Sequence, residues 1–201
     1  VMGNQGFIRA ASTADDATAR LEAVADEWMI LGTLFKYHAA CHLTHSAIEG
    51  VLQLSEQHPV DELSSLTITV NPALLDVCGI AEPATGLEGK FSLRGTAAIA
   101  LNGIDTSNPA TFSDDVMQRP AVQAAIEKVA IETSDSLNNF QSRVVWTDTS
   151  QSAFAVENDL SKPETDYGEQ GRKLADKFAS LCRYAGTDAE QQSNRLAQLL
   201  A

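Results

Sequence analysis

Three of the four histidines of this chain fall within eight residues, in the run Phe35-Lys36-Tyr37-His38-Ala39-Ala40-Cys41-His42-Leu43-Thr44-His45. The twenty residues from Met29 to Ile48 contain no Asp or Glu, although the whole chain carries 27 acidic residues against 14 Lys and Arg, a net charge of −13. A basic island in an acidic chain suits an anionic ligand, and imidazoles exchange protons near neutral pH. The island also runs into an expected helix start, where free N–H groups and the helix dipole favour negative charge. This pattern fits a small carboxylate held by Lys36 while a nearby imidazole handles a proton.

Other chemistries compete for the same residues. His38, Cys41, His42 and His45 are all metal-ligand types. On one continuous helix, however, His38 and His45 would stand about 10 Å apart, too far for a single tetrahedral zinc. At most a pair could chelate, with further ligands from elsewhere, so no metal is expected. Cys41 beside a histidine could be a thiol nucleophile, but no family-type signature surrounds it, and a small buried hydrophobe is the plain alternative. The histidines could likewise be only packed or solvated. Lys90-Phe91-Ser92-Leu93-Arg94 is a second candidate, with two cations at a loop-to-helix junction; its plain reading is a solvated helix start. No G-x-G-x-x-G, P-loop or G-x-S-x-G occurs, so nucleotide binding and serine-hydrolase chemistry lack support.

The elements that must position these residues are legible in outline. At 201 residues, 44% hydrophobic and 20% charged, the chain fits one generous domain or two small ones with a real core. An Ala-rich amphipathic helix is expected over 14–27 and a second from about Ser46 to Glu56, with Ser46 and Glu49 at capping-box spacing and His58-Pro59 as its stop. Leu66–Val70 alternates as a strand, and residues 79–90 are rich in turn formers and read as a loop. Helices follow over Ser92–Asn102 and Ala121–Lys128, the latter opened by Pro120. The period then becomes two, giving strands at Val129–Ile131, Arg143–Trp146 and Ala153–Val156, the last two joined by a turn at Asp148-Thr149-Ser150. Pro163 and Gly168 mark a loop before helices over Arg172–Tyr184 and about Ala189–Leu200. This order predicts an α+β fold with a small sheet of about four strands packed with helices.

Composition removes several classes of partner. The acidic balance argues against nucleic acid and anionic membrane surfaces. No apolar run approaches the roughly 20 residues that span a bilayer, and the first residues show no secretory signal. Three cysteines at scattered spacing make a poor disulfide framework and point to reduced thiols in the cytoplasm.

The segment Phe35 to Ile48 resembles the F-K-x-x-x-x-C-x-x-T-H-x-A-I block of the MmgE/PrpD family. Gly86-Leu87-Glu88-Gly89-Lys90-Phe91-Ser92-Leu93-Arg94, followed by Ala97-Ala98 and Ala100-Leu101, resembles that family's second block, and Gly6-Phe7 and Lys177-Phe178 are smaller echoes. Members include 2-methylcitrate dehydratase, cis-aconitate decarboxylase and iminodisuccinate epimerase, which move protons next to a carboxylate of a small polycarboxylate. The resemblance implies the C-terminal part of a cytoplasmic, cofactor-independent lyase or isomerase of the dehydratase type, acting on a di- or tricarboxylate, with an N-terminal half as partner and a homodimer as assembly. It assigns residues 1–35 to the end of a helical domain, 36–165 to a small α+β domain, and 166–201 to helices returning to the helical domain. Lys36, His42 and His45 would be catalytic; Lys36, His38, Cys41, Lys90 and Arg94 would bind substrate. Gly95 stands where many relatives carry an aromatic residue or His, implying one pocket group fewer. The alternative is a family-derived module that binds a carboxylate or dimerises without catalysis.

Overall fold

The computed structural model describes residues 28–200. They divide after Thr33 into two units, and the second holds every element named below. The expected helix over 14–27 and the Gly6-Phe7 echo lie outside the described residues.

Four strands form one sheet: β1 (Leu63–Val70), β2 (Val129–Thr133), β3 (Gln141–Asp148) and β4 (Ala153–Asp159), in the spatial order β2-β1-β3-β4. β3 is antiparallel to both β1 and β4, whereas β1 and β2 run parallel. Alternation decides the buried face. Leu66, Ile68 and Val70 of β1 pair across with Trp146, Val144 and Ser142 of β3, and all six are buried. Thr67, Thr69 and Arg143 lie on the opposite face. The β3–β4 hairpin turns through Asp148, whose Oδ1 accepts from the Ser150 hydroxyl and the Ser152 N–H, while Gln151 takes φ 67°.

The helices are α1 (His45–Gln57), α2 (Leu75–Cys78), α3 (Gly86–Lys90), α4 (Leu93–Leu101), α5 (Asp114–Met117), α6 (Pro120–Glu127), α7 (Tyr167–Tyr184) and α8 (Ala189–Leu200). The α+β class holds, with helices α2–α6 forming the crossover between parallel neighbours β1 and β2. α1 packs on β3, β4 and α4. Gly50 permits this, because a Cβ there would lie 2.6 Å from Val144 Cγ2 and 3.0 Å from Asn158 Nδ2. Its absence sets the height of α1 over the sheet, and hence where the N-terminus of α1 sits.

Three local expectations need correction. Residues 79–90 are not all loop, since Thr85 and Glu88 form a reciprocal capping box that starts α3. Ser46 and Glu49 do not form one: Thr44 precedes α1 without a side-chain cap, and Glu49 points to His38 instead. Gly168 lies inside α7, which begins at Tyr167 because Asp166 Oδ1 accepts from the N–H groups of Gly168 and Glu169.

Candidate active site

The basic island is a loop stitched to two other segments before it becomes a helix. The Ala39 N–H donates to the Thr106 carbonyl at 2.8 Å, and the Cys41 N–H donates to the Lys90 carbonyl at 3.0 Å. His42–Thr44 then forms one 3₁₀ turn, with the Thr44 hydroxyl donating to the Cys41 carbonyl, and α1 begins at His45. Because His38 lies in the loop and not on the helix, the three imidazoles cluster and are not spread over the roughly 10 Å of a continuous helix. The His45 ring sits 4.8 Å from those of both His38 and His42, edge-on in each case.

The three rings have different surroundings. His38 is buried and both of its nitrogens are engaged: Nδ1 with Thr106 Oγ1 at 2.7 Å and Nε2 with Glu49 Oε1 at 3.2 Å. His45 is 1% exposed, and its Nε2 has no hydrogen-bond partner among the described residues. Burial, then the neighbouring His38, His42 and Lys36, drive its pKa down to about 2, against a hydrogen bond with the Ala40 backbone. His42 is half-buried with its ring against Phe140 at 5.5 Å. Burial lowers its pKa, and Lys36 and His38 add to the effect. His42 is therefore a neutral imidazole at pH 7 with access to solvent, as a general base requires.

The neutrality of His45 has a consequence for stability. The unfolded chain takes up that proton near 6.5, but the native chain does so only near 2. Between these values the unfolded state binds more protons, so stability falls as the pH is lowered, by roughly 1.4 kcal/mol per unit. Denaturant unfolding at pH 7 and pH 5 should show a loss of roughly 2 kcal/mol that His45→Gln largely removes. An equal loss in the variant would mean that His45 is not the group responsible.

Lys36 acts on this cluster, and through it two further lysines are linked to the region. Lys36 is exposed, and Lys90 and Lys177 are half-buried. Lys177, on α7, donates to the Ser107 carbonyl at 2.6 Å. Burial lowers its pKa; Asp105 opposes this, whereas the positive charges of Lys36 and Lys90 reinforce it. The three ammonium groups thus share one region. Lys90 lies 5.9 Å from the centre of the Phe112 ring. Lys173, one turn before Lys177, is placed differently: 3.7 Å from Glu49 Oε1 and 5.3 Å from the centre of the Tyr37 ring.

The remaining predicted residues divide. Cys41 is half-buried, and its thiol meets that of Cys78, whose pKa is pushed up to about 12 by burial and by Cys41. Arg94 lines a cavity of about 150 Å³ with Leu75, Cys78, Ile80 and Ile131. Position 95 is closely packed, since a Cβ on Gly95 would meet Pro83 at 3.0 Å and Met117 at 3.3 Å. Among the described residues no group of three His, Cys, Asp or Glu side chains is placed to hold a metal ion. None of the described helices is long and apolar enough to cross a membrane.

The profile of the MmgE/PrpD C-terminal domain matches residues 38–201, which include the histidine cluster, the sheet and both terminal helices. The chain belongs to the MmgE/PrpD family. No curated protein matches it. Within this MmgE/PrpD domain, sequence reading passed over Glu49, Thr106 and Lys177 as site residues. Glu49 was masked by its capping-box spacing. Thr106 and Lys177 lie 68 and 139 residues from His38 in sequence, and no local pattern links them to it. The Lys177-Phe178 echo was the one signal, and it carried no role.

Proposed function

We propose that this domain supplies the carboxylate-binding and proton-handling half of a lyase or isomerase acting on a small di- or tricarboxylate, with dehydratase chemistry the favoured type. The grouping of Lys36 and Lys90 with Lys177, together with the place of Lys36 beside the neutral, half-buried His42, carries this reading. Ammonium groups in a partly desolvated site favour a polyanion, and they acidify a carbon next to the carboxylate they hold. His42 takes or returns the proton at that carbon. The acid that completes the reaction belongs to the N-terminal half of the enzyme, and no cofactor takes part. Family membership supports the class of chemistry, and the geometry supports the division of roles.

Binding can be measured on the 201-residue chain itself, with citrate as probe. Lys36→Ala and Lys177→Ala should each weaken citrate affinity roughly tenfold or more, as expected for losing a charge-assisted hydrogen bond, and added salt should weaken it further. Calorimetric titration that finds citrate bound equally by wild type and both variants would refute this site. Citrate binding without turnover, once the N-terminal half is supplied, would favour a non-catalytic module.

A further inference from the structure

Glu49 is one of two acidic residues on α1, and unlike the exposed Glu56 it faces the basic island. It stands one helical turn after His45, so the two side chains share a face of the helix. Burial pushes the Glu49 carboxyl up, but the hydrogen bond and charge of His38, together with Lys173, outweigh this and hold it below the usual carboxylate range.

An ionised carboxylate only accepts hydrogen bonds, so His38 Nε2 must carry the proton it shares with Glu49. Where the ring is neutral, as at alkaline pH, Nδ1 is then an acceptor, and the Thr106 hydroxyl 2.7 Å away donates to it. The same stretch is held twice more: the Thr106 carbonyl accepts the Ala39 N–H, and the Ser107 carbonyl accepts Lys177 Nζ. Lys173 closes the circuit from α7 back to Glu49. With both nitrogens of His38 engaged, this histidine has none free for a substrate.

The geometry points to Glu49 as a positioning residue, whose carboxylate fixes the tautomer of His38 and, through Thr106, the placement of the Lys36 loop relative to Lys177 on α7. This role rests on the proposed carboxylate site. The titratable groups facing Glu49 are His38 and Lys173; those facing His38 are Glu49, His45 and His42.

The test is ¹⁵N NMR of the imidazoles in the 201-residue chain at alkaline pH, combined with citrate titration. Wild type should show His38 protonated at Nε2 and bare at Nδ1. Glu49→Gln keeps the shape but can donate as well as accept, so it should give mixed tautomers and citrate affinity about tenfold weaker. Thr106→Val should keep the tautomer and still weaken citrate, because it cuts only the tie between loops, whereas Thr106→Ser should keep both the tautomer and the affinity. Lys173→Met leaves Glu49 ionised at that pH and should keep the wild-type tautomer, whereas Glu49→Leu removes the acceptor altogether and serves if Glu49→Gln does not fold. A wild-type tautomer in Glu49→Gln, or in Glu49→Leu where that variant is the one that folds, would overturn the inference. Absence of citrate binding in wild type would instead overturn the site reading, and the tautomer alone then decides the role of Glu49.

Discussion

His42→Asn, in an enzyme assembled with its N-terminal half, should lower turnover of a polycarboxylate substrate by roughly 10²–10⁴-fold, the usual contribution of a general acid or base. Asn keeps a polar side chain of similar reach but takes up no proton at neutral pH. The loss should therefore fall on kcat, with KM nearly unchanged, whereas Lys36→Ala should act mainly on KM. His42 lies beside Lys36 and His38, and burial and those charges lower its pKa from the ordinary 6.5. A base works only when deprotonated, so lowering the pH should reduce kcat/KM along a limb centred below 6.5, and in His42→Asn that limb should vanish. His58→Asn is the control, because His58 stacks on Phe154 with ring centres 3.9 Å apart and takes no part in the cluster. A limb that persists in His42→Asn would move the base to another residue.

Trp146→Ala should cost about 3–5 kcal/mol of stability, the range for removing a large buried aromatic side chain. Trp146 is 0% exposed at the centre of β3, between Leu66 of β1 and Phe154 of β4. The void would open in the sheet on which α1 rests, toward the C-terminal end of the helix, where the His58 ring lies 6.1 Å from that of Trp146. Trp146→Phe should cost much less. It retains most of the apolar area and removes an indole N–H that has no partner among the described residues. Urea denaturation followed by circular dichroism measures both variants; equal losses would mean that Trp146 acts through its N–H and not through its volume.

The strands were legible because half-buried strands alternate. Leu66, Ile68 and Val70 declare a face without any knowledge of their partners, and the hairpin of β3 and β4 is local. The pairing of β1 with β2 was not legible, since it joins residues more than sixty positions apart through a helical crossover. α3 was hidden because its five residues include two glycines and follow a turn-rich stretch, and only the reciprocal bonds of Thr85 and Glu88 reveal it. In the site, the residue types were legible and their roles were not. His38 looked like a ligand for substrate until both its nitrogens proved to be engaged. The 10 Å spacing that separated His38 from His45 as ligands of one zinc assumed a helix where the chain forms a loop.

By itself the sequence determined the local quantities: an acid-free stretch of twenty residues in a chain of net charge −13, the two family blocks, and the alternation that makes an α+β core. These depend on residue type and short spacing, which a linear chain records directly. Tertiary structure alone decided which imidazole is open, which is buried and neutral, and which is tied to Glu49. It alone brought Lys177 from α7 to the lysines of the first and second blocks. Burial and long-range charge set proton affinity and access, and both arise only when distant segments pack together.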